Sequence, residues 1–576
     1  MKVLSLIGVL VLLFFACSQP KEQELSENIV TYCNPIDINY RFALDEPSRR
    51  EAADPTVVFY KDKYWLFASK SGGYWYSDDL KDWNFVATNE IPVEDYAPTA
   101  IVLNDTLYFM ASLQERNSIY KTADPASGKW SLAVEQIDMP AWDPAFFLDD
   151  DGRLYLYWGC SDSNPLYGVE VDYRNNFAFI GQPKEIKYPN PEEFGWEVPG
   201  DYNTILKQSP WIEGAWMNKI NGKYYLQYSG PGTEFKSYSD GVYVSDQPLG
   251  PFEPQLHNPF AYKPEGFANG AGHGSTFTDK YGNFWHIGTV SISQKHMFER
   301  RLSLFPTFVD QDGTLYANTK FGDYPMQIPN KKISAFEDIF PGWMLLSFNK
   351  PVEVSSSIDS LPATNINDED IRSYWAAKSG NKGEYAMIDL QKSCDVYALQ
   401  INFEEHNTNL FGYNEDRFHR FIVECSNDKQ NWEVVWDQSQ NTNDNVHLYF
   451  QLPEKIACRY LKITNIEVPD GNFALSGFRV FGKGMGDAPA KVTRLFAVRN
   501  NDNKRSVKLT WNEASGADGY IISYGIAEDK CYQHYSVYND TSVKINSLNS
   551  AIDYTYTISS FNENGVTDSN IFVSLD

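Results

Sequence analysis

Three carboxylates far apart in the chain open the same short phrase. They are Asp54 in Asp54-Pro55-Thr56-Val57-Val58, Asp143 in Asp143-Pro144-Ala145-Phe146-Phe147 and Glu213 in Glu213-Gly214-Ala215-Trp216-Met217. Two carboxyl groups facing one bond can divide acid–base work. One stays protonated and donates to a leaving oxygen, and the other is ionised and activates water or attacks carbon, which is the equipment for cleaving a glycosidic bond. A third carboxylate nearby makes ionisation of the acid more costly and so raises its pKa toward the working pH. Any single Asp-Pro or Asp-Gly pair is an ordinary turn starter. The chemistry requires all three groups to meet in space.

The elements that must bring them together are legible as a repeat. The phrase occurs five times, with Ala97 and His273 opening the other two copies, and the openings are 43, 46, 70 and 60 residues apart. Each copy runs through an apolar stretch to a polar turn, and an aromatic strand such as Tyr64-Trp65-Leu66-Phe67 or Tyr224-Tyr225-Leu226-Gln227-Tyr228 returns. Asn-Asp, Asp-Gly and Asn-Gly turns between such runs signal hairpins. The period is that of a four-stranded propeller blade with insertions in blades three and four, and the first strand of each blade lines the axis. Residues 30–325 are therefore expected to form a five-bladed β-propeller with Asp54, Asp143 and Glu213 at one mouth. Around them, Trp75 after Gly72-Gly73 is placed on a rim loop, and Trp142 and Trp216 flank catalytic positions as candidate sugar-stacking walls. His273 is a candidate for packing, ion support or substrate contact. Of the adjacent Arg300 and Arg301, Arg301 is taken as the guanidinium aimed at substrate hydroxyls.

The 576 residues carry a formal charge of −27, which excludes a phosphate-binding surface of the kind nucleic acid needs. A hydroxyl-rich carbohydrate partner suits this surface. Amphipathic helical periodicity is absent, so the fold class is all-β. Val3 to Ala16 form an apolar run shorter than the roughly 20 residues that span a bilayer. With Cys17 after it, the segment resembles a bacterial lipoprotein signal: residues 1–16 are a signal peptide, Cys17 is lipidated, and residues 17–29 are a tether. Phe14 departs from that pattern, which leaves plain secretion as the alternative. The expected location is across the inner membrane, as a lipoprotein of the bacterial outer membrane on its periplasmic face or at the cell surface. The other six cysteines have no metal-type spacing and are read as buried thiols, with no pairing assigned and the metal ligands unknown.

Ala53-Asp54-Pro55, Asp143-Pro144-Ala145-Phe146 with Asp150-Asp151-Gly152, and Glu213-Gly214-Ala215 together resemble glycoside hydrolase family 43 over about residues 30–325. The resemblance implies an inverting five-bladed propeller with Asp54 as general base, Asp143 as the residue that tunes and orients the acid, and Glu213 as general acid. It implies α-L-arabinofuranosidase or β-xylosidase activity on plant-type polysaccharides or oligosaccharides. The alternatives are an exo-β-1,3-galactanase of the same family and a non-catalytic glycan-binding propeller. No cofactor is required, and a structural calcium ion beside His273 is compatible with the resemblance. Residues 340–486, through Ser373-Tyr374-Trp375, Ser426-Asn427-Asp428, Asn431-Trp432 and Leu475-Ser476-Gly477-Phe478, resemble the F5/8 type C family, a jelly-roll β-sandwich often found as a carbohydrate-binding module. Residues 488–576, with Val507-Lys508-Leu509-Thr510-Trp511 and Tyr554-Thr555-Tyr556, resemble a fibronectin type III domain, an immunoglobulin-like sandwich.

Overall fold

A computed structural model describes residues 29–112, 117–138, 141–414 and 416–575 of the chain. The expected signal peptide and lipidated Cys17 lie outside the described residues. Among those described, the regular elements are β-strands joined by turns and a few short 3-10 segments. Five four-stranded antiparallel sheets follow one another in chain order. Blade one comprises Ala53–Tyr60, Lys63–Ser69, Gly73–Ser77 and Trp83–Ala87, and blade two comprises Tyr96–Leu103, Thr106–Ser112, Ile119–Thr122 and Ser131–Val134. Blade three runs from Ala145–Leu148 to Ala178–Lys187, blade four from Glu213–Ile220 to Glu253–Pro254, and blade five from Gly272–Thr278 to Leu315–Ala317. Each first strand lies against the next, and the fifth lies against the first, which closes the ring.

Local chemistry explains the repeat. Lys61-Asp62 and Asn104-Asp105 carry two successive left-handed residues, at φ 51° and 59° and at 49° and 57°. That is the conformation of the two-residue hairpin turn whose twist matches its strands. The second strands are buried on both faces because a neighbouring blade covers each side, so apolar and aromatic residues run consecutively through them rather than alternating. Phe67 and Phe109, for example, meet across blades one and two with ring centres 5.5 Å apart.

At the mouth the chain departs from regular geometry in all five blades. Residues there adopt a left-handed φ: 53° at Asp54, 46° at Ala97, 50° at Asp143, 61° at Gly214 and 44° at His273. In blades one, two, four and five this residue lies within a skip in strand register. Non-glycine residues pay about 1–2 kcal/mol for this conformation. The bend corrects the sequence alignment by one residue: the equivalent of Asp54 in blade four is Gly214, and Glu213 precedes it. A Cβ on Gly214 would stand 2.7 Å from the His273 ring, so no side chain fits there. Hydroxyls at the ends of second strands fasten four of the five bends to the preceding blade. Ser69 accepts the Ala97 N–H at 2.8 Å, Ser112 that of Asp143 at 2.7 Å, Ser229 that of His273 at 2.6 Å and Thr289 that of Asp54 at 3.2 Å.

Beyond the ring, Tyr385–Phe403 and His447–Glu467 are long strands at the centre of an eight-stranded sandwich. Its core holds Ile388, Leu399, Phe421, Leu461, Phe478 and Val480. The last domain pairs Leu495–Arg499, Val507–Trp511 and Ser542–Ile545 in one sheet. Its second sheet is built on Gly519–Gly525 and Tyr554–Asn562, and Trp511 is buried in the core between them. The middle sandwich is tied to the propeller by buried charges. Arg50 reaches Glu405 and Asp444, and Arg479 donates to Glu369 and to the Asp323 carbonyl.

Candidate active site

The bends bring the three carboxylates to one imidazole. His273 Nδ1 lies 3.2 Å from Asp54 Oδ1, 3.9 Å from Asp143 Oδ2 and 4.0 Å from Glu213 Oε1. The nearest oxygens of Asp54 and Glu213 are therefore about 7 Å apart or less, a bound that spans both the roughly 5–5.5 Å of retaining pairs and the lower edge of the roughly 6.5–9.5 Å of inverting ones. Asp54 is fixed on both oxygens: Arg300 donates to Oδ1 at 3.0 Å and Ser69 to Oδ2 at 2.5 Å. Arg300 also donates to Glu51 at 2.8 Å, so two buried carboxylates share one guanidinium. Ser112 donates to Asp143 at 3.2 Å. Glu213 receives the Tyr238 hydroxyl on Oε1 and the Cys160 thiol on Oε2, the latter at 3.1 Å.

The electrostatics separate the acids. Burial pushes the Asp54 carboxyl up, but Arg300, His273 and the Ser69 hydroxyl outweigh it and hold the group below its ordinary value. Asp143 has the Ser112 hydroxyl and His273 as partners but no guanidinium among the described residues. Burial first, and then repulsion from Glu213 and Asp54 against the attraction of His273, pushes it up to about 7. Burial lowers the His273 imidazole, but Asp54, Asp143, Glu213 and Asp240 together hold it above its ordinary value, so it keeps its charge to higher pH than a free imidazole. One ionised acid and one proton-holding acid thus coexist near neutrality, the division that acid–base hydrolysis needs.

Two expected substrate contacts are corrected by the fold. Trp75 is fully buried; its ring packs on Phe85 and its Nε1 donates to Asn39 at 2.8 Å, because the Gly72-Gly73 turn leads directly into a blade strand. Arg301 points away from the mouth, donating to His447 of the middle sandwich and to the Arg50 carbonyl. Alternation along the strand sends Arg300, its neighbour, to the carboxylates instead. Trp142 stands half exposed beside Asp143, whereas Trp216 is partly buried with Nε1 held by the Thr276 carbonyl at 3.0 Å. In the middle sandwich, Trp375 is buried, and His406 is engaged by Tyr374.

Cys160, Tyr238, Ser69 and Glu51 were missed by sequence reasoning. The one available signal was the recurrence of Ser or Thr at second-strand ends. Among the described residues, the trio close enough to ligate one ion is Asp143, Cys160 and Glu213, with ligand atoms within 4.8 Å. A calcium ion takes roughly six to eight oxygens. This set offers two carboxylates and a sulfur, does not fit calcium, and no catalytic step is assigned to a metal.

Comparison with known sequences agrees with this geometry. Residues 48–315 match Glycosyl hydrolases family 43, and residues 351–476 match the F5/8 type C domain. A protein named beta-xylosidase from Xylanibacter ruminicola is 28% identical over 151 residues, covering 23% of this chain and 41% of its own length. An arabinoxylan arabinofuranohydrolase from Paenibacillus polymyxa is 33% identical over 166 residues, covering 27% of this chain and 24% of its own. The chain thus spans less than half the length of each of these two relatives. A solved structure titled "Glycoside hydrolase" aligns over 77% of this chain and 99% of its own, at 17% identity and a TM-score of 0.46.

Proposed function

Because residues 48–315 form a family 43 glycosyl hydrolase domain followed by an F5/8 type C domain, we propose that the protein is an inverting glycoside hydrolase of plant-type glycans, acting as an α-L-arabinofuranosidase or β-xylosidase. The observation that carries this reading is the convergence of Asp54, Asp143 and Glu213 on His273. The names of the matched relatives point to the same two pentosides. Asp54, held ionised, takes a proton from water as that water attacks the anomeric carbon. Glu213 protonates the leaving oxygen, and the C–O bond breaks with both electrons going to that oxygen. The proton store is Asp143, whose carboxyl is pushed up to about 7 and lies within 4.8 Å of the Glu213 carboxylate. Asp143 stores the proton and orients Glu213. Trp142 supplies a stacking wall, and Arg300 positions Asp54. The last domain is read as a fibronectin type III-like spacer. Cys17 is read as the lipid anchor of a protein of the bacterial outer membrane.

Product analysis on arabinoxylan, arabinan, xylan and arabinogalactan tests the assignment. Release of arabinose or xylose supports it, release of galactose moves the substrate to the galactanase reading, and glycan binding without release contradicts catalysis.

The pH profile follows from the same groups. Activity should be lost as pH falls through the Asp54 pKa, which lies below the ordinary 3.8, because the base becomes protonated. It should be lost as pH rises past about 7, because Asp143 gives up the proton it stores beside the acid. A kcat/KM profile that is broad on the acid side and falls above neutrality checks this, and a profile still rising at pH 9 contradicts it.

A further inference from the structure

First strands begin and second strands end at the mouth of the ring, so the loops preceding the former and following the latter surround the carboxylates. Three such loops, near blades four and five, border a cavity of about 630 Å³. They are residues 200–205, which run toward Glu213, residues 234–235 after the strand bearing Ser229, and residues 293–297 after the strand bearing Thr289. The remaining wall is Arg372, which belongs to the middle sandwich.

Three observations give the groove a role. It lies beside the site: Tyr238, whose N–H donates to the Phe235 carbonyl of the groove wall at 3.1 Å, donates its hydroxyl to Glu213, and Thr233, next to Glu234, accepts from Arg300, the partner of Asp54, at 3.2 Å. Apart from the partly buried Glu234 carboxylate, its charges are paired. Arg372 donates to both Asp201 oxygens at 3.2 and 3.1 Å, to the Glu234 carbonyl at 3.1 Å and to the Ser291 carbonyl at 3.1 and 3.2 Å, so a single guanidinium holds all three loop regions. Lys236 pairs with Asp370 at 3.0 Å and Lys295 with Glu404 at 2.6 Å, fastening the same loops to the sandwich. Tyr202, Ile205 and Met297 are 48%, 42% and 47% exposed along the groove, beside the exposed, uncharged Thr204 and Gln294. Apolar plates beside uncharged polar groups suit the faces and hydroxyls of neutral sugars, and the volume falls within the range of small-molecule sites.

We propose that this groove binds the leaving-group side of a neutral glycan, over more than one sugar residue, and that Arg372 is the positioning residue that keeps its loops in register. The inference rests on Glu213 being the acid, since the departing chain extends from the oxygen that the acid protonates. The F5/8 type C domain then builds part of the substrate site, whatever glycan it binds by itself.

The test uses the full chain and two variants, Arg372→Met and Tyr202→Ala, with nitrophenyl glycosides and matching oligosaccharides of increasing length. For the unaltered protein, kcat/KM should rise with oligosaccharide length. In each variant, the ratio of oligosaccharide to nitrophenyl kcat/KM should fall about tenfold, near the 1.4 kcal/mol that such a factor represents, with the loss in KM rather than kcat. An unchanged ratio in both variants overturns the proposal. If Arg372→Met does not fold, Tyr202→Ala decides, because its side chain is half exposed. If no glycoside is cleaved by the unaltered protein, the hydrolase reading fails. Calorimetric titration with a xylo-oligosaccharide then judges the groove: binding weakened by Tyr202→Ala sustains it, and binding unaffected, or no binding by the unaltered protein, overturns it.

Discussion

Glu213→Gln is expected to lower kcat on an unactivated arabinoside or xyloside by about 10³-fold, within the 10²–10⁴ range of general acid catalysis, while a nitrophenyl glycoside of the same sugar loses far less. The contrast follows from the leaving group. Nitrophenolate departs without a proton, whereas a sugar alkoxide does not. Asp54→Asn should reduce both substrates alike, because both need an activated water. Amides replace carboxylates of nearly the same shape, so Tyr238 and Cys160 keep a partner at position 213 and Ser69 keeps one at position 54. Equal losses on both substrates for Glu213→Gln, or a leaving-group dependence for Asp54→Asn, would reverse the two roles.

The second large effect falls on Arg300. Its guanidinium is buried between Asp54 and Glu51, themselves almost entirely buried. Arg300→Met leaves two buried carboxylates with little compensation, and breaking such an arrangement costs about 3–5 kcal/mol. At a few degrees per kcal/mol, the melting temperature at pH 7 should fall by roughly 10 °C. The sign with pH is definite for Asp54. Its folded pKa is depressed, so its contribution to stability is present above the unfolded value and is lost as pH falls through the folded one. The difference in melting temperature between the two proteins should therefore narrow below pH 4. Without Arg300 the Asp54 pKa rises, and the acid limb of the rate profile should move up with it. Unchanged melting together with an unmoved limb would show that Arg300 does neither job.

How much of this was legible in the chain differs by level. The blades could be read because hairpin turns and doubly buried aromatic strands are local signals: Lys61-Asp62 and Asn104-Asp105 announce their turns, and Tyr224 to Tyr228 announce a strand covered on both sides. Closure of the ring then made neighbours of three remote acids. The one-residue offset at Glu213 was hidden, because the steric reason for Gly214 is the His273 ring of another blade. Arg300 and Arg301 are adjacent and chemically identical, and only the side of the strand each one faces separates a partner of Asp54 from a partner of His447. Trp75 followed a glycine pair that marks a turn, yet the strand after that turn is interior. Arg372 and Cys160 carry no motif. Their roles arise from contacts across domain and blade boundaries, which no local pattern encodes.

The central claim is that Asp54 delivers water to the anomeric carbon while Glu213 releases the leaving group from the opposite side. Proton NMR of the sugar first formed from an anomerically pure glycoside, followed before mutarotation, tests it most directly. The account predicts that the initial product has the anomeric configuration opposite to that of the substrate. Initial product of the same configuration would mean that a carboxylate attacks carbon, at the roughly 5–5.5 Å separation of retaining pairs, and would contradict it.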